Sequence, residues 1–339
     1  MKTGTTSLQN YVFPALSHGR WVDVNPPQLR WLIRRSIQLA RAGLISEVKP
    51  LPQPSQLTLI SEEGLIGIDP RNWVRHLDLV TRLFGPSARI WITLRQPEDF
   101  LRAIYQQTIQ EGYVVSPLSF FLSESEYRRV NPHDLDDRRF FSSDDFDLRF
   151  LVNNYAQHFH KVVVTPLETL TRLGALSLLI PQAEQALFRA ADILESRPPL
   201  KISYSARAMS LTFTRERFLN RLNLRSSPRS PQLTQDAAGW MTWRLNDLRH
   251  TPTNSQAKPH RQVGMTRRIL RRVRKEALMP FGWRDLMHRM DRWFPSDTYQ
   301  LPSETYLGRR CDSNRDFYRE VLSRAAATGA WEVTSQPQR

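Results

Sequence analysis

Hydrophobic positions recur along the chain with helical and extended periods in turn. Leu8, Tyr11, Val12, Ala15 and Leu16 share one face of an opening helix, which predicts that this helix packs inward. Arg20 to Val24 reads as a short strand. Pro26-Pro27 then starts a helix that runs to Ala42 and is closed by Gly43. Leu57-Thr58-Leu59-Ile60 reads as a buried strand ending in the polar turn Ser61-Glu62-Glu63-Gly64-Leu65. Asn72 to Phe84 is helical, Gly85-Pro86 breaks it, and Ala88 to Leu94 is the clearest strand in the chain.

Arg95-Gln96-Pro97 ends that strand. Pro97 suits a first helical position, Glu98 and Asp99 complement the helix dipole, and the helix continues through Tyr105 to Gly112. Tyr113 to Phe141 carries no clear period and reads as loop. Ser142-Ser143-Asp144-Asp145 is the expected cap of a helix ending near Phe159, and Lys161 to Thr165 is a further buried strand. Helices are also expected over Ala206 to Leu222 and Asn314 to Ala327. Strands separated by helices predict an α/β fold with a parallel sheet covered on both faces.

The chemistry gathers where strands give way to helices. Lys2-Thr3-Gly4-Thr5-Thr6-Ser7 puts a lysine, a glycine and hydroxyls at a helix N-terminus, which is an anion site. In the nucleoside-triphosphate loop the lysine follows the last glycine; here Lys2 precedes Gly4, which argues against a kinase. The loop resembles the 5′-phosphosulfate loop of sulfotransferases that use 3′-phosphoadenosine 5′-phosphosulfate (PAPS). Arg95, Pro97 and Tyr105 resemble that family's 3′-phosphate motif, with Ala103 where the family usually has serine. Ser61-Glu62-Glu63 is similar to the Ser-x-Glu turn of its bacterial and carbohydrate-type branch.

The resemblance implies a three-layer, P-loop-like fold with a C-terminal helical extension. It also implies PAPS as cosubstrate, held by Lys2, Thr3, Gly4, Thr5, Thr6, Ser7 and Arg95. Glu63 would be the general base with Glu62 as its alternative, Lys2 would stabilise the leaving phosphate, and no metal is required. Residues 1–225 are then the core, 226–262 an irregular connection and 263–339 the extension. Because a phosphate loop ordinarily follows a buried strand, that strand is expected upstream of Lys2, and activity is expected to depend on it.

Composition narrows the partners only in part. A net charge of +15, nearly all of it from arginine, predicts attraction to polyanions without choosing among them. A non-catalytic nucleic-acid or polyanion binder would explain the charge but not the loop, so no nucleic-acid partner is expected. The basic run Arg267 to Lys275 reads as a solvated helix face, with peripheral membrane or acceptor contact as the alternative. Cys311 is the only cysteine, which excludes an intrachain disulfide and a cysteine-based zinc site. The longest apolar run, Leu173 to Ile180, is too short to span a membrane, and no apolar leader precedes Lys2. A cytoplasmic protein is expected, with a carbohydrate, lipid or small-molecule acceptor. His158-Phe159-His160 reads as a helix-end pair, His76 and His133 as acceptor contacts at most, Glu168 as a tie for its segment, and Asp134, Asp136 and Asp137 as surface partners of Arg138 and Arg139.

Overall fold

A computed structural model describes residues 5–18, 22–54, 56–131, 139–196, 204–221 and 280–333. The opening helix α1 is continuous through Thr5–Ser7, Leu8–Val12 and Phe13–His18, its middle turn being π-helical. In chain order follow β1 (Asp23–Val24), α2 (Pro27–Arg41), β2 (Thr58–Leu59), α3 (Trp73–Phe84), β3 (Arg89–Leu94) and α4 (Pro97–Gln110). Then come β4 (Phe121–Leu122), α5 (Glu124–Val130), β5 (Phe141–Ser142), α6 (Leu148–His158), β6 (Lys161–Pro166), α7 (Gly174–Leu179) and α8 (Glu184–Ser196). The last elements are α9 (Ala206–Arg221), α10 (Pro280–Trp293), α11 (Cys311–Ala325) and β7 (Trp331–Val333). The molecule is therefore mixed α/β with small parallel sheets. No helix among the described residues is long and apolar enough to cross a membrane.

Two compact units emerge. The first holds Met1–Ile104, Phe121–Lys201 and Tyr306–Arg339, the second Tyr105–Phe120 and Ile202–Thr305. In the first unit β1 pairs with β2 and β3 with β6, both in parallel. Leu8, Val12, Phe13 and Leu16 of α1 share a buried cluster with Val163 of β6 and Leu187, Ala190 and Leu194 of α8; Val24, Leu59 and Trp91 pack onto it. Four strands and the opening helix thus meet one core. Val162 to Val164 are all buried, as a strand covered on both faces requires.

Three features depart from the pattern reading. Tyr113 to Phe141 contains α5, begun by a capping box in which Ser123 and Glu126 satisfy each other's backbone N–H groups, and a parallel pairing of β4 with β5. Asp147, not the Ser142 to Asp145 stretch, caps α6 by accepting from the Phe150 N–H at 2.9 Å; Ser142 instead lies in β5. The C-terminal segment also adds β7 antiparallel to β6. Its approach depends on Gly174, where a Cβ would sit 1.8 Å from the Thr328 carbonyl oxygen. Residues 226–262 and the basic run Arg267 to Lys275 lie outside the described residues.

Candidate functional site

Two corners of the first unit, each at the C-terminal end of a parallel strand pair, hold the polar residues of interest. Such edges are where open α/β sheets bind ligands.

The first corner lies beyond β1 and β2. Asn25 follows β1 with a left-handed backbone, φ 47°, a conformation that asparagine tolerates better than most residues. Its side-chain oxygen accepts from the Ser61 N–H at 2.7 Å. Gln9, on the π-turn of α1, donates through Nε2 to the Ser61 hydroxyl at 2.9 Å and to the Ser61 carbonyl at 3.1 Å. The helix that follows the Lys2 loop is therefore fastened to the Ser61-Glu62-Glu63 turn. π-Turns recur at functional sites because the extra residue re-aims its neighbours.

Within this corner the predicted residues fare differently. Lys2, Thr3 and Gly4 lie outside the described residues. Thr5, Thr6 and Ser7 form the first turn of α1, and the Thr6 carbonyl accepts from Asn10 Nδ2 at 2.7 Å. Glu62 faces α2, with the Arg34 Nε 3.3 Å and the Arg30 Nε 4.0 Å away. Glu63 opens the short helical turn Glu63–Leu65, and its side chain lies outside what is described. Behind that turn Gly64 has room for no side chain without crowding Ile37, whose Cδ1 would be 3.0 Å from a Cβ.

The second corner lies beyond β3 and β6. Arg95 leaves β3 just before Pro97 starts α4, as the proline's fixed φ favours. Its Nη2 is 3.9 Å from an Asp99 oxygen, and Asp99 is also paired with Arg102. Glu168, in the helical turn after β6, accepts from the Tyr318 hydroxyl of α11. Burial holds the Arg95 guanidinium below its usual pKa and Arg102 acts in the same direction, while Asp99 and Glu168 oppose them. In the first turn of α4, Glu98 pairs with Arg315 and lies 3.9 Å from the Cys311 sulfur. Burial and Glu98 together push the Cys311 thiol up.

Two atoms in this corner are buried without a hydrogen-bond partner among the described residues: Nε of Arg95 and Oε2 of Glu98. A buried donor left over on a charged guanidinium is costly, and an anion is the partner that satisfies it best. Among the described residues no hydrogen bond or ion pair joins Arg95 to α1 or to the Ser61 turn. The two corners are linked through packing, since Leu59 and Trp91 rest on the same core as α1.

The rest of the Arg95 motif is turned inward. Ala103 is 3% exposed, and Tyr105 is fully buried with its hydroxyl donating to the Val115 carbonyl at 2.7 Å. Burial, then Tyr299, raise that phenol well above the tyrosine range. Tyr105 is accordingly a structural residue of the second unit. His158 Nδ1 lies 2.8 Å from the Asn154 carbonyl, as for a helix-end residue. His76 is completely buried against Gly67, away from any exposed acceptor surface. His133, Asp134, Asp136, Asp137 and Arg138 lie outside the described residues, and Arg139 packs over the Phe140 ring.

Gln9, Asn25, Tyr318 and Arg315 were not singled out by sequence reasoning. Asn25 before Pro26-Pro27 carried a signal, because asparagine ahead of proline favours a turn. The others carried none, since their partners are distant in the chain. Comparison with protein-family models, with curated proteins and with solved structures finds no match.

Proposed function

We propose that the chain is a PAPS-dependent sulfotransferase with a three-layer α/β core, transferring a sulfuryl group to a hydroxyl or amine acceptor. The observation that carries this reading is the pair of hydrogen bonds from Gln9 to Ser61, 2.9 and 3.1 Å, which fasten the helix of a phosphate-type loop to a carboxylate turn. In-line transfer needs that neighbourhood, because the acceptor must approach sulfur opposite the departing phosphate. The orphaned Nε of Arg95 adds a second anion-seeking group at a sheet edge.

PAPS supplies the activated sulfuryl group. On the protein side, the N–H groups at the start of α1 and the hydroxyls of Thr5, Thr6 and Ser7 bind the 5′-phosphate. The Lys2 ammonium stabilises the negative charge that gathers on the departing oxygen. Arg95 forks onto the 3′-phosphate. Glu63 takes the acceptor's proton. Glu62 is the weaker choice for that role, because its ion pairs with Arg34 and Arg30 draw it towards α2. The Ala103 methyl, buried in the protein, leaves the 3′-phosphate without a hydroxyl from that position, so Arg95 carries a larger share of its binding.

The test is release of adenosine 3′,5′-bisphosphate from PAPS, with and without a panel of hydroxyl and amine acceptors. The wild-type chain turns PAPS over and Lys2→Ala does not. Full activity in Lys2→Ala refutes the assignment.

A further inference from the structure

The second unit presents a surface that the proposed transfer does not use. Its helices α9 and α10 pack antiparallel: the Trp283 indole N–H donates to the Thr212 hydroxyl at 2.9 Å towards one end, and the Arg207 guanidinium donates to the Phe294 carbonyl at 3.0 Å at the other. Ala208, Met209, Thr212, Leu219 and Met287 are buried in this unit. The solvent face of α10 is then Asp285, Arg289, Arg292 and Trp293, which recur at helical spacing, and Phe294 follows directly.

Trp293 is 71% exposed and Phe294 56% exposed. Two adjacent large aromatics standing in water at the end of a helix are unfavourable unless something covers them. Their surroundings are on balance cationic. Arg207, Arg289 and Arg292 are exposed at this end; of the nearby acids, Asp285 lies 3.8 Å from Arg284, the Asp291 carboxylate accepts from the Ser205 N–H and hydroxyl, and Asp297 is exposed.

From this arrangement we propose that the Arg207, Arg289, Arg292, Trp293 and Phe294 end of the helix pair docks on an anionic lipid bilayer. Tryptophan and phenylalanine enter the headgroup boundary, where an indole keeps its N–H wet and its ring dry. The arginines lie alongside at the level of the lipid phosphates and add electrostatic attraction. Nucleic acid fits less well. A strand-binding surface stacks successive bases along a groove, whereas these two aromatics are chain neighbours at the end of one helix. The inference is independent of the transfer chemistry.

Co-sedimentation of the full chain with vesicles of phosphatidylglycerol and phosphatidylcholine in equal parts tests it, against vesicles of phosphatidylcholine alone. The wild type binds the anionic vesicles and not the neutral ones. The double variant Trp293→Ala/Phe294→Ala binds at least about tenfold more weakly, and Arg289→Gln and Arg292→Gln each about fivefold more weakly. Because these side chains are exposed, melting followed by circular dichroism should be unchanged. Should the double variant melt early, tryptophan quenching by vesicles with brominated acyl chains decides instead, by comparing wild type with the conservative Trp293→Phe. The proposal is overturned by absence of binding to anionic vesicles or by equal binding to neutral ones. It is equally overturned if the aromatic variants retain full binding, or if they lose only self-association or nucleic-acid binding.

Discussion

The two sheet corners are built from different materials. Beyond β1 and β2, neutral groups do the joining: an asparagine oxygen, a glutamine amide and a serine hydroxyl, all within 3.1 Å of their partners. The charged pair there, Glu62 with Arg34, faces solvent from the arginine side. Beyond β3 and β6, charges are drawn inward and compensated by residues far along the chain, with Glu168 and Tyr318 beside Arg95 and Arg315 on Glu98. The first corner is suited to holding backbone and turn in register. The second holds a partly desolvated cation with an unused donor, which costs stability until an anion arrives. A site that binds a bisphosphate and moves a sulfuryl group needs both kinds: one corner to aim the reacting groups, the other to grip the far phosphate.

Substitutions separate these roles. After Lys2→Ala, the largest effect is expected from Glu63→Gln, which should lower PAPS turnover by roughly 10²–10⁴-fold while leaving bisphosphate affinity nearly intact; parallel losses of rate and affinity would mean that the first corner binds and does not catalyse. Arg95→Ala should weaken adenosine 3′,5′-bisphosphate by about 100-fold in calorimetry and remove its advantage over adenosine 5′-monophosphate, with Arg95→Lys intermediate because an ammonium cannot fork. An advantage retained in Arg95→Ala would assign the 3′-phosphate elsewhere.

Tyr318→Phe should cost about 1–2 kcal/mol in chemical denaturation, the loss of one hydrogen bond to a charged acceptor. Its pH dependence has a definite sign. Burial, then Glu168, raise the folded phenol's pKa above the unfolded value, so the hydrogen bond's contribution is complete below about pH 10 and is lost as the pH rises further. The stability gap between wild type and variant should narrow above that point; a gap that widens there would contradict the hydrogen bond. Glu62→Gln is the smallest, within about 0.5 kcal/mol and with little change in turnover, as for a solvent-facing ion pair.

What could be read from the chain follows the range of the interactions. β3, β6 and α3 announce themselves through period and punctuation, such as the Gly85 that ends α3 with φ 71°. Pro97 likewise marks the start of α4. β4, β5 and β7 are two or three residues long, too short for alternation to register, and they exist because partner strands elsewhere accept their backbone hydrogen bonds. α5 carried a local signal, Ser123 with Glu126, obscured by the aromatics around it. Arg95 was legible as a cation after a strand. Its surroundings were not, because Glu168 and Tyr318 reach it only through the pairing of β3 with β6 and the packing of α11 on that sheet.

The central claim is that Arg95 and the Lys2 loop together hold a nucleotide phosphorylated at both the 3′ and 5′ positions. Isothermal calorimetry on the wild-type chain with adenosine 3′,5′-bisphosphate and, separately, adenosine 5′-monophosphate tests it most directly. The account predicts one binding site that prefers the bisphosphate by about 100-fold. Equal affinity for the two nucleotides, or no heat with either, would contradict it.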